Sequence, residues 1–193
     1  MLYVLLFVVM ALGLIVASAC RRLVVQRRTG TSAFAVMDDI LKRRYELIPA
    51  LVEIVKKHIP HEPGVLQPIM VARNAAVQAE RRAAMKPTDA AAIQQLSGTE
   101  RALAEALTRL FAMSKDHPEL RTDASMRMLI DQLKTLQHDL TRSRRVFNDA
   151  MTTYNTLRTT FPANYFADAL GFSEVPLLLV EAVPERQKVR NVA

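Results

Sequence analysis

The chain has 193 residues, half of them hydrophobic but only 6% aromatic, and carries 26 Lys+Arg against 19 Asp+Glu for a net charge of +7. This apolar content excludes intrinsic disorder, and its reliance on Ala, Leu and Met favours helices over sheets. The single cysteine, Cys20, excludes an intrachain disulfide and a cysteine-based zinc site, so packing alone must hold the fold.

From Leu2 to Cys20 there is no charged residue. About 19 residues at 1.5 Å each are enough to cross a bilayer core as a helix, and the run lacks the polar face of a soluble helix. A secretory signal would need a basic region ahead of the apolar run, and none is present. Ala17-Ser18-Ala19-Cys20 superficially resembles a lipoprotein processing site, but Ala17 stands where Leu is usual. Arg21, Arg22, Arg27 and Arg28 follow the run, and no acid appears before Asp38. The positive-inside rule then places Met1 outside and the bulk of the chain in the cytoplasm. The same four arginines are candidates for contact with anionic headgroups. A membrane-anchor segment is expected over residues 1–30.

Arg27 to Ser32 is polar and contains Gly30, so a hinge or helix start is expected there, with Thr31 or Ser32 as N-cap. Met37, Ile40, Leu41, Ile48, Leu51, Val52 and Val55 then form an apolar stripe, predicting a helix over about 33–59 with a kink at Pro49. Pro60, Pro63 and Gly64 end it. Further helices are predicted over about 65–85, 89–114 and 122–160. The last carries two heptad registers, Met126-Leu133-Leu140-Phe147-Tyr154-Phe161 and Leu129-Leu136-Ser143-Ala150-Leu157. A short helix over 164–170, capped by Gly171, precedes a tail that is apolar from Val175 to Val183 and then basic. The expected fold is all-α: a single transmembrane helix, an antiparallel four-helix bundle over residues 31–172, and a C-terminal tail over 173–193.

Leu41-Lys42-Arg43-Arg44-Tyr45-Glu46-Leu47-Ile48-Pro49-Ala50-Leu51-Val52, with His61-Glu62 after it, resembles the signature of the LemA family. Arg73-Asn74 fits a later motif, as do Asp116-His117-Pro118-Glu119-Leu120 and Arg144-Arg145-Val146-Phe147-Asn148-Asp149-Ala150. Tyr154-Asn155, Phe161-Pro162 and Gly171-Phe172 complete the resemblance, which covers nearly the whole chain. The chain departs from the family pattern at Glu46, Ala50, Gln137 and Phe147. The resemblance implies a membrane-anchored cytoplasmic helical bundle and implies no activity.

His58-x-x-His61-Glu62 is the nearest approach to a metal motif, but Pro60 separates the histidines and no further ligand is placed. Ser97 and Ser143 lack a neighbouring base, and there is no phosphate-binding glycine loop. No catalytic residue, cofactor or metal is therefore expected. Arg44, Arg73, Arg144 and Asn148 fall near apolar faces, where arginines need acidic partners; Glu46, Glu62, Glu80 and Asp149 are candidates. They would form either a polar groove or a register-setting layer. The basic charge mixes with acids along the helices and lacks stacking aromatics, which argues against nucleic acid.

The expected function is a non-catalytic scaffold or interaction module at the cytoplasmic face of a bacterial inner membrane. Its partners would be membrane lipid, a membrane protein, or a second copy joined through the last heptad. The apolar tail from Val175 to Val183 is an unassigned segment that could dock on a neighbour. The alternative is a protein acting directly on the bilayer through its basic juxtamembrane segment.

Overall fold

The computed structural model describes residues 1–59 and 63–178. Its long helices are α1 (Leu2–His58), α2 (Pro63–Met85), α3 (Ala90–Met113) and α5 (Ala124–Thr159). A five-residue α4 (Pro118–Thr122) precedes α5, and a 3₁₀ turn (Ala163–Tyr165) follows it. No strand occurs among the described residues.

α1 runs unbroken through the expected hinge. Thr31 is not an N-cap; its hydroxyl donates to the carbonyl of Arg27 within the helix. Gly30 is buried because α5 passes there: a Cβ at this position would lie 1.7 Å from Cε of Met151. The glycine serves a close helix crossing rather than a break. The first part of α1 contains an 18-residue window of mean hydropathy 2.7, none of it buried. That stretch is long and apolar enough to cross a membrane.

The rest of α1 packs against α5 and α2, and α2 packs against α3. α1 and α5 run antiparallel: Gln26 donates to the carbonyl of Ala150, Phe34 meets Phe147 edge-on at 5.8 Å, and His58 approaches Asp123. The buried side takes in Leu23 and Phe34 of α1, Ile69 and Ala76 of α2, Leu96 and Leu103 of α3, and Phe147 of α5. The register of α5 that starts at Met126 is buried as far as Tyr154, whereas Phe161 is exposed. These knobs are spent inside the chain.

The breaks follow the local chemistry. Asp89 caps α3 by accepting hydrogen bonds from the amides of Ala91 and Ala92, and Asp123 caps α5 through Met126. Pro118 starts α4, where its missing N–H costs nothing. The helix expected over 164–170 is a single 3₁₀ turn followed by further turns, which Gly171 ends at a φ of 76°. The tail also departs from expectation. Val175 and Leu178 do not face a neighbour; they are buried against the chain's own helices.

Candidate functional site

The most unusual chemistry lies midway along the packed helices. Arg44 and Tyr45, adjacent on α1, are 4% and 2% exposed, and Glu100 on α3 is 3% exposed. Arg44 Nη2 is 2.8 Å from Glu100 Oε2, and Arg44 Nη1 donates to Gln137 Oε1 of α5 at 3.3 Å. The Tyr45 hydroxyl donates to Glu100 Oε1 at 2.5 Å. Burial, reinforced by the Glu100 charge, pushes the Tyr45 pKa well up, so the phenol stays a donor. Glu100, rather than any of Glu46, Glu62, Glu80 or Asp149, is therefore the partner of Arg44. The spacing of α3 carried the signal. Its buried residues Ile93, Leu96, Glu100, Leu103, Leu107 and Leu110 alternate by threes and fours, so Glu100 occupies a core step. Gln137 serves as a neutral acceptor beside a pair already balanced.

Pro49 explains Arg73. Proline has no N–H, so the carbonyl four residues earlier, that of Tyr45, loses its helical donor. Arg73 of α2 supplies one, Nε to the Tyr45 carbonyl at 3.2 Å. Arg73 also reaches Asn74 Oδ1 at 3.1 Å. The Arg44-Tyr45 dipeptide thus binds α2 through a carbonyl, α3 through a hydroxyl and a guanidinium, and α5 through the same guanidinium.

A second acidic cluster sits one turn along α1. Lys42 bridges Asp38 at 2.5 Å and Glu80 of α2 at 3.7 Å. As carboxylates, Asp38 Oδ1 and Glu80 Oε1 would be buried without a hydrogen-bond donor. Burial, and then the adjoining Asp38 carboxyl, push Glu80 up to about 7 against the pull of Lys42. A proton held by the pair supplies the missing donor and relieves like-charge repulsion.

Asn148 and Asn155 of α5 do not join the arginines. Asn155 Nδ2 donates to the carbonyl of Val175 at 2.8 Å, and its Oδ1 accepts from the Val175 amide at 3.1 Å. Asn148 makes the same two bonds with Leu178, at 3.2 and 2.9 Å. The match is geometric: seven helical residues rise about 10.5 Å, and three extended residues span about 10 Å. Tyr154 adds a bond from its hydroxyl to the carbonyl of Ser173 at 3.0 Å. Phe172 is buried where this segment begins.

The other expected residues are dispersed. Arg43 is exposed and pairs with Asp39 at 2.8 Å, while Ile48, Leu51 and Val52 are buried and Leu47 and Pro49 half-buried. Arg144 lines a small cavity of about 10 Å³ beside Glu100; burial lowers its pKa and Glu100 opposes this. Phe161 is exposed, with Pro162 half-buried next to it. Arg21, Arg22 and Arg28 are exposed, but Arg27 turns inward and donates to Thr88 Oγ1 at 3.1 Å. His61 and Glu62 lie outside the described residues, as does the tail beyond Leu178. His58 is half-buried, 3.6 Å from Asp123, and His117 lies 3.0 Å from Glu119. His138 lies 3.9 Å from Asp139. Among the described residues no three potential metal ligands converge. The Ser143 hydroxyl donates to carbonyls of its own helix.

No curated protein matches the chain in sequence. The family model that does match is described as LemA family and covers residues 33–192. These residues include the Arg44-Tyr45 hub, the Pro49–Arg73 pair and the Asn148–Asn155 rack, and on that match the chain belongs to the LemA family.

Proposed function

We propose that this chain is a membrane-anchored, non-catalytic helical interaction module, its helices forming an antiparallel four-helix bundle at the cytoplasmic face of a bacterial inner membrane. Family membership and the apolar end of α1 fit a membrane-associated helical protein. The observation that carries the reading is the continuity of α1, which makes the apolar stretch and the packed helices one element. Three exposed arginines at the junction favour the single-pass orientation with Met1 outside. The Arg44–Glu100 layer then serves to set helix register, because a buried pair penalises every misaligned packing that leaves a charge alone. The partner is a membrane protein or a second copy of the chain.

The test is crosslinking of the full-length protein in cells, followed by purification in mild detergent and mass spectrometry. A reproducible self-crosslink or one dominant membrane protein supports the module. The full chain is needed, because Leu23 and Gly30 pack into the helical core and a truncation at residue 31 would remove them. A second reading, direct action on the bilayer, is favoured by the exposed Arg21, Arg22 and Arg28. Recovery of lipid alone, with no protein partner and no self-contact, would select it.

A further inference from the structure

We propose that the segment from Phe161 to Leu170 is a second membrane contact, with Phe161, Tyr165 and Leu170 seated at the headgroup boundary beside α1. This rests on the membrane-anchored reading above and adds a surface to it.

These three side chains are 73%, 79% and 55% exposed. Phe161 and Tyr165 meet edge-on at 6.1 Å, so they form one apolar patch. Their position follows from the helix register. α5 runs antiparallel to α1, with Phe147 at Phe34 and Ala150 at Gln26. Its end therefore comes level with about Arg22, and the 3₁₀ turn beyond it, which packs against α1, reaches into the charge-free stretch. Val16, Ala19 and Cys20 become partly buried there, while the residues before them are exposed apart from Ala11. The patch thus lies on the apolar side of Arg21 and Arg22, within about 8 Å of them along the helix axis. Aromatic side chains collect at that depth in membrane proteins because one part of the ring wants hydrocarbon and the other tolerates headgroups.

The segment is built to enter such a boundary. Ala163 and Ala167 are buried against the helices, holding the patch outward. Its backbone bonds internally: the amides of Asn164, Ala167, Leu170 and Phe172 donate to carbonyls of Thr160, Ala163, Phe166 and Ala167. Insertion therefore strands few polar groups. Between Arg158 and Glu174 the sole charged residue is Asp168, inside the segment, and Arg158 pairs with it at 2.5 Å and with Glu174 beyond the segment at 3.7 Å. A protein partner at this level would have to lie in the bilayer beside α1, whereas lipid is there wherever α1 spans. Arg21 and Arg22 supply the complementary charge for anionic headgroups.

The chain has no tryptophan, so one introduced residue reports alone. Full-length Tyr165→Trp, Leu12→Trp and Val146→Trp are placed separately in phosphatidylcholine–phosphatidylglycerol vesicles with brominated acyl chains, with Phe161→Trp as a second site in the patch. The expected result is lipid quenching and blue-shifted emission for Leu12→Trp and Tyr165→Trp. Acrylamide quenching of Tyr165→Trp should be several-fold weaker than that of Val146→Trp, an exposed site midway along α5. If Leu12→Trp is quenched by lipid but both patch variants behave like Val146→Trp, the second contact is overturned and the anchor stands. If Leu12→Trp is not quenched by lipid either, the anchor reading fails and takes this inference with it.

Discussion

The middle of the packed helices and their anchor-proximal end break the same rule in opposite directions. In the middle, Arg44, Tyr45 and Glu100 place charge and hydroxyl where apolar side chains are expected. At the end, Phe161, Tyr165 and Leu170 place apolar surface where water is expected. The first departure is balanced in charge within the chain, because the buried pair is neutral and its contacts lie on three helices. The second is closed only by something outside it. A polar core layer therefore speaks of how the chain specifies itself, and an apolar surface patch speaks of what it meets.

The largest expected effect comes from opening the polar layer. Arg44→Met leaves Glu100 buried without its cation and should cost about 3–5 kcal/mol in denaturant unfolding of the full chain in mild detergent. Adding Glu100→Met should restore most of that loss, because the desolvation penalty disappears with the pair. A double variant as unstable as Arg44→Met would mean that the layer holds by hydrogen bonding to Tyr45 and Gln137 rather than by charge balance.

Two phenylalanines of α5 and its end sharpen the contrast. Phe147 is wholly buried against Phe34, so Phe147→Ala should cost about 3–5 kcal/mol. Phe161→Ala, at an exposed site, should change stability in detergent by less than about 0.5 kcal/mol. Similar losses at both positions would show that Phe161 is part of the core after all.

A smaller effect is expected from the tail. Asn148→Ala combined with Asn155→Ala removes four bonds to the backbone of Val175 and Leu178. It should speed amide exchange at those two residues while leaving α1–α5 contacts protected, at a cost of about 1–3 kcal/mol. Unchanged exchange would mean that burial of Val175 and Leu178 alone holds the segment.

The last effect is a slope with pH. Glu80 titrates near 7 in the fold and near 4.5 when exposed, so the folded state holds the extra proton between those values. Its contribution is fully present below about pH 4.5 and is lost as pH rises through 7. Glu80→Gln should flatten the decline of Tm over that window and raise Tm relative to the parent above pH 7. A parallel pair of Tm curves would show that Lys42 keeps Glu80 ionised throughout.

Much of the fold is legible in the sequence, because the helices of the packed region carry their own periodicity. The heptad from Met126 to Tyr154 marks out α5 by its local pattern alone. What the sequence hides is tertiary. Gly30 in a polar stretch reads as a breaker, and only the arrival of Met151 reveals a crossing point. Arg44 and Glu100 each sit on a core step of their own helix, a visible anomaly, but their pairing depends on which helices become neighbours. Arg73 could be linked to Pro49 only once α2 lay against α1. The apolar tail reads as unassigned because Asn148 and Asn155, two helical turns apart, match an extended segment of the same rise. α4 escapes because five residues carry too little pattern.

That the membrane stretch and the packed helices form one rigid element is tested most directly by a spin-label distance across the junction. Met10→Cys and Val36→Cys, both exposed, would be labelled in a Cys20→Ser background of the full chain in nanodiscs. A continuous helix predicts a narrow distribution near 39 Å, from about 1.5 Å per residue. A broad distribution shifted to shorter distances would place a hinge at Gly30 and contradict a single continuous α1.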